Sequence, residues 1–107
     1  MEPGPLTEPV LLILLSLVEQ PRHGYSILKD VEEMSNGRVK LSTGTLYGAL
    51  CRLLEGGWIE RFQETDATRG RQAYRLSRAG RRNLQAEVGR LKQLSRLASL
   101  RVAQKEV

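Results

Sequence analysis

Cysteine and histidine are almost absent: Cys51 and His23 are the sole examples. One cysteine excludes a disulfide within the chain and points to a reducing compartment, expected to be the cytoplasm. One histidine with one cysteine leaves no ligand set for a transition metal within one chain, so no metal site is expected. Long apolar runs are missing as well. Val10-Leu11-Leu12-Ile13-Leu14-Leu15 is too short to cross a bilayer. The residues before it carry Glu2 and Glu8 and no Lys or Arg, so the basic start of a secretory signal peptide is lacking. There is no paired-carboxylate pattern, no nucleophile with a base, and no glycine loop of the phosphate-binding kind. An enzyme is therefore not expected, nor a cofactor.

Acidic residues are missing where the basic ones gather. The net charge is +5 over 107 residues. From Glu8 to Glu33 the balance is acidic, whereas Arg69, Arg71, Arg75, Arg78, Arg81 and Arg82 follow one another without an acid between them. Localised positive charge is the footprint of a polyanionic partner, although basic runs are also common on solvated surfaces. The use of Arg suits phosphate, whose geometry the guanidinium fork matches.

The most unusual stretch is Leu41-Ser42-Thr43-Gly44-Thr45-Leu46-Tyr47-Gly48-Ala49-Leu50-Cys51-Arg52-Leu53-Leu54-Glu55. Its period predicts a helix capped by Ser42 and ended at Gly56-Gly57. Leu46, Leu50, Leu53 and Leu54 share the core side. The other side carries Gly44, Gly48, Cys51, Arg52 and Glu55, edged by Thr43, Thr45 and Tyr47. Each helical glycine costs about 1 kcal/mol relative to Ala. Close approach of a large partner is a reason to bear that cost, and it marks the stretch as a candidate recognition helix. Cys51 lies on the same side. An unreactive small residue is the simpler account of it than a redox sensor.

Thr7-Glu8-Pro9 reads as a helix start, and the helix is expected to run to about Glu19, apolar nearly all round and buried on more than one side. His23-Gly24-Tyr25-Ser26 opens a second helix, with His23 capping or packing at its start. Its apolar side is expected to hold Tyr25, Ile27, Leu28, Val31 and Met34. Gly24-Tyr25 suits either a backbone amide near a phosphate or a turn glycine before a half-buried tyrosine. Asn36-Gly37 is a turn signal, and Arg38-Val39-Lys40-Leu41 alternates polar and apolar and could be a very short strand. Trp58 is expected on the core. Ile59 to Glu64 and Ala73 to Leu76 form an expected hairpin whose connection carries Arg69-Gly70-Arg71. Ser77 caps a last helix from Arg78 to near Lys105. Leu84, Val88, Leu91, Leu94, Ala98 and Val102, with Leu97 and Leu100, give it more apolar surface than one small domain can cover. A second copy of the chain is the expected cover.

The expected fold is mainly α with a small β-hairpin: a winged helix-turn-helix over residues 1–76 and a dimerisation helix over 77–107, in one continuous domain. In that geometry the third helix enters the major groove of double-stranded DNA by its N-terminal end. Ser42, Thr43 and Thr45 would donate to phosphates or base edges, and Gly44 and Gly48 would permit close seating. Tyr47 would reach a phosphate or a thymine methyl, and Arg52 a guanine. Lys40, Arg69 and Arg71 complete the expected contacts, with Gly24 and Tyr25 at the second helix.

His23-Gly24-Tyr25, the block from Leu41 to Leu50, Gly57-Trp58-Ile59 and the run from Gly70 to Gly80, taken in this order, resemble the PadR family of bacterial transcriptional regulators. The resemblance covers about Thr7 to Leu84. It implies a homodimeric repressor on a palindromic operator, released in many members by a small apolar or aromatic effector at the dimer interface. Some compact relatives stack planar drugs on an aromatic residue of the last helix. From Arg78 to Val107 this chain has no Phe, Trp or Tyr, so that device does not carry over. The competing reading is a winged-helix module that binds another protein rather than DNA.

Overall fold

The computed structural model describes residues 6–63 and 72–105. Helix α1 (Glu8–Ser16) is followed by strand β1 (Arg22–His23), helices α2 (Gly24–Met34) and α3 (Thr43–Glu55), strands β2 (Ile59–Phe62) and β3 (Ala73–Leu76), and helix α4 (Arg78–Lys105). The sheet is antiparallel in the order β1-β3-β2.

α1 starts as expected. Thr7 occupies the N-cap and its hydroxyl accepts from the Val10 amide, with a proline in the first turn. It stops at Ser16, short of the expected Glu19. Leu17 and Val18 donate to the carbonyls of Leu14 and Leu15, three residues back, so the last turn tightens and closes. Two arginines take up the carbonyls left over: Arg22 Nε donates to Ser16 O at 2.7 Å and Arg81 Nη2 to Val18 O at 3.0 Å. Ile13, Leu14 and Leu17 are buried, while Val10, Leu11, Leu12, Leu15 and Val18 remain half-buried on the outer side.

α2 differs from expectation on one side. Ile27 and Val31 are buried and Leu28 is half-buried, but Tyr25 is 71% exposed and Met34 40%. At 100° per residue Tyr25 falls with Lys29 and Glu32, not with Ile27. The Lys29 ammonium accordingly stands 5.7 Å from the centre of the Tyr25 ring.

The candidate strand at Arg38 to Leu41 does not form. Asn36 (φ 54°) and Gly37 (φ 80°) turn the chain through the left-handed region. The backbone donors that a ladder would use are then taken locally: Val39 N donates to Ser35 Oγ at 2.9 Å and Arg38 N to Ser35 O at 3.1 Å. Arg38 forms an exposed ion pair with Glu8. The third strand is β1 instead, pairing Arg22 with Tyr74 and His23 with Ala73. Two residues carry no alternation from which a strand could be read.

The core joins Leu46, Leu50 and Leu53 of α3 to Ile59, Tyr74 and Leu76 of the sheet and to Leu84 of α4. α4 is fixed at its root. The Ser77 hydroxyl donates to Gly57 O at 2.6 Å and accepts from Gly80 N at 2.8 Å, capping the helix while tying it to the start of β2. A Cβ on Gly80 would run into the Trp58 carbonyl, so glycine is what lets helix and strand meet. Trp58 itself is half-buried against the core, as expected. Beyond Leu91 every described side chain of α4 is exposed.

Candidate nucleic-acid interface

The outer face of α3 is built by its cap. Ser42 is extended (φ −75°, ψ 159°), and its hydroxyl accepts from Thr45 N at 3.1 Å and donates to Thr45 Oγ1 at 2.9 Å. Both functions of Ser42 are used within the first turn. The Thr45 hydroxyl proton remains to donate outward, from an exposed residue at the positive end of the helix.

Past this turn the face is bare. Nothing lies within 4 Å of a Cβ placed on Gly44, and on Gly48 only Arg52 Nη1, at 3.6 Å. Thr43, Gly44, Thr45, Cys51 and Arg52 are exposed, and Lys40 is exposed just before the helix. The structure thus brings Lys40, Ser42, Thr43, Gly44, Thr45, Gly48 and Arg52 to one side. Tyr47 borders them, 44% exposed. A Cβ on Gly24 would collide with the Tyr47 hydroxyl. Gly24 is buried and serves as the seat of the Tyr47 ring, which joins the start of α2 to α3. Tyr25 stands exposed beside it in the first turn of α2. Arg69 and Arg71 lie outside the described residues.

Of the residues expected on the dimerisation face, Leu84 is spent on the chain's own core at 4% exposure. Val88 and Leu91 are half-buried, and Leu94, Leu97, Leu100 and Val102 are 50–59% exposed. Ala98 lies among them and is exposed.

Sequence reasoning missed what lies on the other side of Tyr47. Register sets Arg61 of β2 opposite Tyr74 of β3 and Ile59 opposite Leu76, all on one sheet face. Ile59, Leu76 and Tyr74 are buried, while Arg61 is exposed at the end of that row. Burial raises the pKa of the Tyr74 phenol; Tyr47 and Cys51 of α3 add to the rise and Arg61 opposes it. These four groups thus act on one another electrostatically where α3 packs against β2, with Arg61 and Tyr74 opposite each other in the sheet. Glu60 and Arg75 point to the opposite sheet face, where Arg75 Nε donates to Glu60 Oε2 at 2.7 Å and its guanidinium covers the Phe62 ring at 5.0 Å. No signal in the sequence fixes this register, since the length of the connection does not set which residue stands opposite Tyr74.

No group of His, Cys, Asp or Glu among the described residues could hold a metal ion. No described helix is long and apolar enough to cross a membrane.

Residues 13–86 match the profile of the PadR-like family of transcriptional regulators. The chain belongs to that family. An uncharacterized 37.1 kDa protein in transposon TN4556 of Streptomyces fradiae is 37% identical over 86 residues, which are 79% of this chain and 23% of that protein. The chain thus spans about a quarter of that relative's length. Among solved structures, a PadR family transcription regulator from Clostridium difficile superimposes with a TM-score of 0.75 at 21% identity, over 90% of this chain and 99% of that one. Bacillus subtilis PadR in complex with operator DNA superimposes with a TM-score of 0.66 at 21% identity, over 78% of this chain and 48% of that one. Both likenesses concern the fold. Family membership sets the chain among regulators of transcription rather than enzymes.

Proposed function

We propose that the chain binds double-stranded DNA in a sequence-specific manner, as a cytoplasmic homodimeric repressor on a palindromic operator. The observation that carries this reading is the outer face of α3, where Gly44 meets nothing of the chain's own, Gly48 meets only the end of the Arg52 side chain, and Thr45 is exposed at the capped end. A helix so stripped fits a groove whose walls are phosphate and whose floor is base edges. The first acidic residue on α3 is Glu55, in its last turn. Two such helices, held apart by paired α4 helices, would read half-sites one DNA turn (~34 Å) apart. The exposed leucines of α4 support the pairing. Ser95, Ala98, Ser99, Val102 and Ala103 form a face of small side chains on the exposed half of α4. Paired helices would enclose room there for a small apolar or aromatic effector that releases the DNA.

The test is a titration of the chain onto its own upstream DNA and onto a scrambled duplex at several salt concentrations. Specific binding should exceed scrambled binding at every salt. Thr45→Ala and Arg52→Ala should change the preference among operator variants, by about 1–3 kcal/mol at the base each reads. Absence of any salt-dependent DNA binding would favour a protein-binding module instead.

A further inference from the structure

We propose that Arg61 holds a backbone phosphate of the DNA at the seam between α3 and β2. The proposal rests on the DNA-binding reading and adds to it a contact outside α3 and outside the basic connection of the hairpin.

Three observations carry it. The first is placement. Arg61 ends the sheet row Leu76, Ile59, Tyr74 at the point where that row leaves the core, on the side that packs on α3. In the proposed arrangement, a duplex with the bare face of α3 in its major groove would carry a flanking strand past this seam. The second is availability. Among the described residues no carboxylate pairs with Arg61, and the ion pairs there engage Arg22, Arg38, Arg75 and Arg90 instead. Arg61 and Arg75 belong to the same strand pair and carry the same group. Arg75 is bound to Glu60 on the far face, whereas Arg61 keeps its donors for a ligand. The third is company. The phenols of Tyr47 and Tyr74 and the Cys51 thiol border the same seam. Arg61 is the one Arg, Lys, Asp or Glu of the four, which favours an anion there. A guanidinium presents its donors in a fork that fits two phosphate oxygens at once.

A phosphate contact is indifferent to sequence, so a mixed-sequence duplex of about three helical turns (~30 base pairs) is a sufficient probe. Arg61→Gln should lower affinity about tenfold near 0.1 M salt. It should also reduce the slope of log affinity against log salt by about 0.9. Arg61→Lys should keep the wild-type slope with a smaller loss of affinity. Arg75→Gln, the same charge change on the opposite face, should leave the slope unchanged. An unchanged slope for Arg61→Gln overturns the proposal while leaving DNA binding intact. Equal slope losses in Arg61→Gln and Arg75→Gln also overturn it, since the effect would then be one of net charge. A wild-type chain without salt-dependent affinity overturns this proposal and the DNA-binding reading together. Circular dichroism of each variant confirms that the exposed substitutions leave the fold in place.

Discussion

The outer face of α3 and the second half of α4 are both left uncovered by the chain, and they are opposite in kind. On α3 the exposed positions are stripped: two glycines and short hydroxyl residues stand where a solvated helix would carry long charged side chains. On α4 they are overfilled: Leu94, Leu97, Leu100 and Val102 each keep half or more of their surface in water. The isolated chain loses stability at both. At α3 the loss is helix propensity, about 1 kcal/mol per glycine. At α4 it is unburied apolar area, worth about 25 cal/mol per Å². A missing side chain admits a large polar body with its own hydrogen-bonding groups. A surplus of leucine calls for another apolar helix, which a second copy supplies. The joint between the two faces is stiff, because Ser77 and Gly80 fix the root of α4 against Trp58 and Arg81 ties it to the end of α1. Pairing of α4 would therefore set the distance and angle between two α3 helices.

Breaking the α4 face should have the largest effect. A Leu94→Glu/Leu97→Glu double variant should sediment as a monomer and bind operator DNA about a hundredfold more weakly, because both half-sites must be held together for full affinity. Neither side chain belongs to the core, so the melting curve of the winged-helix part should persist. A dimer that survived would assign the overfilled face to some other partner. The glycines sharpen the contrast from the other side. Gly48→Leu should lower DNA affinity at least tenfold without lowering the melting temperature, since its Cβ meets only the end of the Arg52 side chain and leucine is the better helix former. Gly24→Ala should do the reverse to the fold. Its Cβ collides with the far end of the Tyr47 side chain, which is 44% exposed and can swing aside, so the loss in thermal unfolding should be at the low end of the overpacking range, about 1 kcal/mol. If both glycines behaved alike, α3 would not be set apart by what it leaves empty.

Much of this was legible from residues because periodicity reports burial directly. The Leu46, Leu50, Leu53 line, the Ser42 cap and the Gly56-Gly57 stop placed α3 within a residue, and Ser77 with the leucine spacing did the same for α4. Three features were not legible, each for a physical reason. β1 is two residues long and exists only because β3 lies beside it, so it has no local pattern. The candidate strand at Arg38 to Leu41 has the right alternation, but the Ser35 hydroxyl captures the Val39 amide before any ladder can. Tyr25 looked apolar by type, yet its angle on the helix sets it with Lys29 and Glu32. At the candidate site the polar face of α3 was readable, and the seam was not. That seam depends on which residue of β2 stands opposite Tyr74, a matter of register across a connection whose length does not fix it.

The smallest effect concerns that seam and resolves whether Tyr74 is core or interface. Its phenol is buried and its pKa is raised, first by burial and then by Tyr47, with Cys51 adding and Arg61 opposing. A raised pKa means the folded chain favours the neutral phenol. The stabilisation is thus complete below the unfolded value of about 10 and declines as pH rises through the higher folded value. Wild-type stability should therefore fall more steeply above about pH 10 than that of Tyr74→Phe, which has nothing there to ionise. Reading the difference between the two chains removes the titration of Lys and of the other tyrosines, which they share. Adding Arg61→Gln to the wild-type background removes the one cation that opposes the shift, so the steep region should move to still higher pH. Parallel stability curves for the three chains would mean that Tyr74 is well solvated. They would also mean that Arg61 does not stand at the seam where the phosphate is proposed to sit.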